Sequence, residues 1–207
     1  MKRLLSSMVL VALSLVAVSA QSTAGWKVRA DRSTSATDPD GAGKIQFMAM
    51  GKGFHAINPQ AAVYWNPANT ATGTYTVKGT FTLNEPSGHN NYYGLVFGGS
   101  RLEGADQTYH YFLIAQDGSF LVKRRVGDAK TDTVVAKTPH ASIKKPEANG
   151  TSTNVLEVRV LADKVDYVVN GAVVGSSPKA GMTTDGIWGI RVNHLLDVTI
   201  DEIGITR

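Results

Sequence analysis

The sequence predicts an all-β protein, a sandwich of two mostly antiparallel sheets with negligible helix. Three observations predict it. Thr74–Leu83 alternates strictly: Tyr75, Val77, Gly79, Phe81 and Leu83 share one side, and Thr74, Thr76, Lys78, Thr80 and Thr82 the other. Period-two alternation of this kind calls for one buried and one solvated face. Asn154–Arg207 reads as strand, tight turn, strand, Asn-Gly turn, strand and two closing strands. Finally, roughly ten short strands separated by turn signals run along the chain, with no amphipathic helix and no internal repeat.

The first residues stand apart. Lys2 and Arg3 precede a mostly apolar Leu4–Val18, and Val18-Ser19-Ala20 has the small residues of a cleavage site. Residues 1–20 therefore read as a secretory signal peptide cut after Ala20, too short for a membrane span. The expected destination is the periplasm or the extracellular space. Losing Lys2 and Arg3 lowers the formal charge from +4 to +2, which gives no support to a nucleic-acid partner. The chain has no cysteine, so disulfides, thiolate metal sites and cysteine nucleophiles are excluded. The remaining chain, about 185 residues, must rely on its own core and is long enough to build one.

Residues 21–43 read as an N-terminal segment with a loop, with a first short strand near Trp26 and Val28 and a turn at Pro39-Asp40-Gly41. The sandwich domain is placed at 44–207. Lys44–Met50 is a strand with Ile45, Phe47 and Ala49 on one side, and Gly51-Lys52-Gly53 turns the chain. Gln60–Trp65 is a strand stopped by Asn66-Pro67. Tyr92–Gly99 is more continuously apolar. Tyr109–Ala115 and Phe120–Val126 form a hairpin around a two-residue Asp117-Gly118 turn. That register puts Tyr109, Tyr111, Leu113 and Ala115 in the core with Phe120, Val122 and Val126, and turns His110, Phe112, Ile114, Leu121, Lys123 and Arg125 outward. Val134-Val135 is a short strand and Pro139–Thr153 a polar insertion. A two-residue turn at Asp163-Lys164 sets Val158 opposite Val169 and Val160 opposite Tyr167, and the Asn170-Gly171 turn sets Tyr167 opposite Val174. Near the end, Trp188, Ile190 and Val192 point one way and Arg191 and Asn193 the other. A bulge at Asp201-Glu202 brings Val198, Ile200, Ile203 and Ile205 into one phase.

The order of these pieces carries a resemblance. Tyr92-Tyr93-Gly94-Leu95-Val96-Phe97, Tyr111-Phe112 with Asp117-Gly118-Ser119-Phe120, Val168-Val169-Asn170-Gly171, and Gly186-Ile187-Trp188-Gly189-Ile190 with Val198-Thr199-Ile200-Asp201-Glu202-Ile203 follow one another across Trp26–Arg207. Together they resemble concanavalin A-like lectin/glucanase domains, in the order seen in laminin G-like domains and the bacterial secreted 3-keto-disaccharide hydrolase group. The resemblance implies a jelly-roll β-sandwich with a carbohydrate site on the concave sheet face. It does not by itself imply an activity.

Three function classes stay open: a non-catalytic, exported carbohydrate-binding domain, which leads; a glycan-cleaving enzyme related to the 3-keto-disaccharide hydrolases; and a laminin G-like interaction module. Glycosidases need two carboxyls about 5–9.5 Å apart. The glucanases of this fold carry Glu-x-Asp-x-x-Glu or a close variant on one strand, whereas here Asp201-Glu202 stands without a Glu two residues earlier. No catalytic residue is therefore assigned. No cofactor is expected beyond a structural calcium, which the resemblance to jelly rolls would place at Asp201. His55, His89, His110, His140 and His194 show no zinc spacing. The candidate glycan surface is Tyr92, His110, Phe112, Lys123, Arg125, Arg191 and Asn193: rings for stacking, and cations and an amide for hydroxyls or carboxylates.

Overall fold

The computed structural model describes residues 22–33 and 35–207. The signal-peptide reading of residues 1–20 lies outside the described residues. Fourteen strands and no helix are found in that range, and no helix long and apolar enough to cross a membrane occurs among the described residues.

Two seven-stranded antiparallel sheets lie face to face. The first runs β1 (Lys27–Asp31), β4 (Ala61–Ala71), β13 (Gly186–Val192), β6 (Tyr92–Ser100), β7 (Thr108–Ala115), β8 (Ser119–Val126), β9 (Lys130–Pro139). The second runs β12 (Ala172–Pro178), β11 (Lys164–Val169), β10 (Ser152–Val160), β5 (Tyr75–Glu85), β14 (Leu196–Thr206), β3 (Gly53–Asn58), β2 (Gln46–Met50). The core between them takes alternate residues of each strand, among them Tyr75, Val77, Phe81 and Leu83 of β5, Leu156, Val158 and Val160 of β10, and Trp188, Ile190 and Val192 of β13. This is the pattern expected of two sheets sharing one core.

Several details depart from the expected ones. The turn after β10 is Ala162-Asp163, since Leu161 N–H donates to the Lys164 carbonyl. Val158 thus faces Tyr167, a shift of two residues that leaves every side chain on its expected face. The Asn170-Gly171 turn forms with both residues at positive φ (52° and 84°), the type I′ requirement. An irregularity past Val168 then sets Tyr167 opposite Gly175 rather than Val174. β4 runs through Asn66-Pro67: Pro67 falls where β4 leaves register with β13, between Trp65 and Thr70, so no ladder bond is lost there. β3 was not foreseen. The expected bulge in β14 is present, with Glu202 at φ 52° and the pairing to β5 broken between Asp201 and Gly204.

The consequential departure is in β7–β8. Gly118 N–H donates to the Ala115 carbonyl at 3.0 Å, and Gly118 has φ 81°. This is a type I turn closed by a left-handed glycine, a three-residue hairpin loop where two residues had been expected. Asp117 Oδ1 secures it by accepting from Ser119 N and Oγ. The extra residue shifts β7 by one against β8, so Phe112 pairs with Val122 and Tyr111 with Lys123. A one-residue slip exchanges the faces. Phe112 and His110, expected on the surface, face the core at 0% and 2% exposure, while Tyr109, Tyr111 and Leu113 line the outer face.

Phe112 packs edge-on to Phe120 and tilted against Tyr167 of the opposite sheet. Phe112→Ala should cost about 3–5 kcal/mol by urea denaturation, as for a large aromatic removed from a core. A loss below about 1 kcal/mol would place the side chain outside the core. His110 stacks on Phe97, with ring centroids 5.2 Å apart, and its Nδ1 has no partner. Burial, then the charge of Arg124, lower its pKa to about 4, against a raising hydrogen bond to the Thr183 backbone. Below the ordinary value of 6.5 the unfolded chain takes up a proton that the folded one refuses. Stability should therefore fall between pH 6.5 and 4 by about 3 kcal/mol on account of this group. Melting temperatures across that range should decline less in His110→Gln, and parallel curves would refute the assignment.

Candidate functional site

The outer face of the first sheet is not an ordinary solvated face. Val63 and Trp65 from β4, Val96 from β6, Tyr109, Tyr111 and Leu113 from β7, and Leu121 from β8 form a second buried apolar cluster. One cross-strand row reads Val63, Arg191, Gly94, Leu113, Leu121. Gly94 leaves a gap in this row. A Cβ there would meet the Phe112 carbonyl oxygen at 2.4 Å, so the position excludes any larger residue.

Arg191 lies over that face. Its Nη1 donates to Tyr109 Oη at 2.9 Å, its Nη2 to Asp31 Oδ2 at 2.6 Å, and its guanidinium carbon sits 5.2 Å from the centre of the Tyr111 ring. The other oxygen of Asp31 accepts from Arg125 Nη2 at 2.7 Å. One carboxylate therefore joins two guanidiniums, and the group keeps a surplus positive charge. Burial works against both charges of the Arg191–Asp31 pair. For Asp31 it is outweighed by Arg191 and then Arg125, which hold the carboxyl below its usual range. For Arg191 it is outweighed by Tyr109, Asp31 and Tyr111, which raise its pKa. Nε of Arg191, Nε of Arg125 and Oδ1 of Asn193 are buried with no protein partner.

Beside Arg191 is a depression of about 220 Å³. Leu113 and Leu121 form its apolar part; Tyr92, Lys123, Arg191, Asn193, Asn91 and Asp38 bring polar groups to its walls. A larger depression of about 480 Å³ lies at another edge, among Gly43, Pro59, Pro86 and Leu195. The smaller one is the better site, because Tyr92, Lys123 and Arg191, each on a paired strand, converge there with Asn91 and Asn193 over an apolar floor.

Of the seven expected surface residues, the structure brings Tyr92, Lys123, Arg191 and Asn193 together in this depression, with Arg125 adjoining through Asp31. His110 and Phe112 are in the core. Tyr111, Tyr109 and Asp31 were missed. The first two were lost with the hairpin register, and the third sat in a segment read as mostly loop. Asp201 pairs with Gly53 and Thr80 in the second sheet. It offers one carboxylate, with no pair of further Asp, Glu or His side chains around it among the described residues.

Removing the carboxylate should expose the cost of burying Arg191. Asp31→Ala is expected to lose about 3 kcal/mol in urea, and Arg191→Met in the same chain to restore most of it. A single substitution that leaves the midpoint unchanged would show that the pair is not effectively desolvated.

No family model matches the chain, and no curated protein matches it. Solved structures do. The carbohydrate-binding module CBM66 from Bacillus subtilis superposes with a TM-score of 0.62 at 9% identity, over 88% of this chain and 96% of that one. The Bacteroides ovatus mixed linkage glucan PUL GH16 protein, in complex with its G4G4G3G product, gives 0.62 at 7% identity, over 91% and 98%. A Bacillus subtilis protein of unknown function with a galectin-like fold gives 0.61 at 12% identity, over 88% and 89%. At such identities the likeness shows the fold alone: the described residues form a concanavalin A-like jelly-roll sandwich of two antiparallel sheets.

Proposed function

We propose that this chain is an exported, non-catalytic carbohydrate-binding domain whose site is the depression beside Arg191. One observation carries the reading: Lys123, Arg191, Asn193, Asn91 and Tyr92 converge over Leu113 and Leu121 on the sheet face that does not pack against the other sheet. Sugar rings present apolar faces and many hydroxyls, and a small apolar floor ringed by amides, a phenol and cations suits both. Arg191, Arg125 and Lys123 still outnumber Asp31 and Asp38 by one charge, which favours glycans bearing carboxylates. Support comes also from the shared fold of a carbohydrate-binding module and of a protein solved with a glucan product. Binding is preferred to cleavage because Asp201-Glu202, the acidic pair of the sequence, belongs to the second sheet and not to this depression.

A glycan array including uronic acid polymers, followed by calorimetry on the retained glycan, tests this. Lys123 is half-buried, and unlike Arg191 it carries no buried ion pair, so it is the cleaner probe. Lys123→Ala should weaken binding about tenfold or more, with stability within about 0.5 kcal/mol of the parent. Unchanged affinity in both Lys123→Ala and Tyr92→Ala would remove the site. Release of new sugar ends from a bound glycan would replace binding by cleavage, and retention of proteins alone would favour the laminin G-like reading.

A further inference from the structure

His89, His194 and Asp38 are far apart in sequence, yet three of their atoms converge on one point. His89 Nε2 lies 2.9 Å from Asp38 Oδ1 and 3.1 Å from His194 Nε2, and His194 Nε2 lies 3.1 Å from the same Asp38 oxygen. Three ligand atoms about 2.0–2.1 Å from a tetrahedral ion stand roughly 3.3 Å apart. Without an ion, hydrogen bonding fills the triangle only if His194 is protonated on both nitrogens, one toward Asp40 and one toward Asp38. His194 Nδ1 faces Asp40 Oδ1 at 3.2 Å. A carboxylate only accepts, so a neutral His194 spends its one N–H there and turns the lone pair of Nε2 toward Asp38, which also only accepts. A single proton on His89 can satisfy one edge of the triangle and leaves the remaining lone pairs opposed. A cation at the centre satisfies all three.

The surroundings are those of a metal ligand set. Asp40 orients His194 through the ring nitrogen opposite the ligating one, as a carboxylate does behind a metal-bound imidazole. The His194 side chain is 7% exposed, so its ring is held; those of His89 and Asp38 are 44% and 50% exposed, so an ion has a way in. Asn91 Nδ2 lies 3.1 Å from His89 Nε2, and its amide turned over would offer an oxygen to the same point. Each ligand sits on a segment that crosses between the sheets: Asp38 between β1 and β2, His89 between β5 and β6, His194 between β13 and β14.

We infer that Asp38, His89 and His194 bind a first-row divalent transition metal, with zinc as the ion to test, and that the remaining coordination position is open to water or to an oxygen of a ligand. Two imidazoles and one carboxylate suit zinc far better than calcium or magnesium. Asp38 also lines the depression beside Arg191, so the ion would stand at the rim of that site. The inference does not depend on the carbohydrate reading.

The test is zinc titration of the full chain, stripped with a chelator, by calorimetry at neutral pH, with cobalt as a spectroscopic substitute. One zinc per chain is expected, undisturbed by equal calcium or magnesium, and cobalt should give visible bands of low-coordinate geometry. His89 is exposed, so His89→Gln should keep the fold, verified by circular dichroism and by the melting temperature of the metal-free protein. It should weaken zinc binding at least about 100-fold, and Asp40→Asn should weaken it about 10–100-fold. Absence of a stoichiometric zinc site, or equal affinity in His89→Gln, would overturn the inference. Glycan binding plays no part in this readout, so failure of the carbohydrate reading leaves it standing.

Discussion

A charge buried on a sheet face sets the terms for the first sheet. Arg191 stands in a row of Val63, Gly94 and Leu113, where water cannot serve its guanidinium. Such a group persists only with a counter-charge and aligned acceptors. Asp31 supplies the charge and Tyr109 an acceptor. Asp31 ends the edge strand β1, so the docking of that strand and the satisfaction of Arg191 are one event. An apolar residue in place of the pair could be as stable. What the pair adds, with Arg125 on the same carboxylate, is a fixed positive field over the apolar face.

The two outer faces of the sandwich are built on different rules. On the second sheet, β5 shows Thr76, Lys78, Thr80 and Thr82 to solvent, and His55, Asn84, Asp197 and Thr199 form a polar network beside them. That is how a sheet meets water. The first sheet instead shows Trp65, Tyr109, Tyr111 and Leu113, almost fully covered. If this sheet served only to close the core, threonines and lysines would do. Its aromatic outer face is instead a second buried layer lying under Arg191, with partnerless nitrogens and an amide oxygen beside it.

This asymmetry also explains what could be read beforehand. β5 was legible because its outer face is polar, and β13 because Trp188, Ile190 and Val192 alternate with smaller or charged residues. β7 was not. Tyr109-His110-Tyr111-Phe112-Leu113-Ile114 is apolar in both phases, because both of its faces are buried, so alternation cannot say which side is the core. The assignment then rested on the turn alone. A two-residue Asp117-Gly118 loop sets Tyr109, Tyr111 and Leu113 on the core face, and Gly118 closing a three-residue loop reverses that. Arg191 and Asn193 escaped the error, since Ile190 and Val192 settle the phase of their strand without any turn.

The histidines were opaque for a different reason. Metal motifs visible in sequence place their ligands on one element at fixed spacing, whereas Asp38, His89 and His194 lie on three separate connections. What unites them is topology. Each connection leaves one sheet and enters the other, and all three meet at one end of the sandwich. Crossovers are the segments least held by ladder hydrogen bonds, and Asn193 N–H to the Tyr92 carbonyl is one of the few backbone bonds there. An ion gripped by all three would tie the sheets together where the hydrogen-bond network is thinnest. It would also hold Asp38, Asn91 and Asn193 against the depression they line, so that order at the end of the sandwich and the shape of the site on its face become a single property.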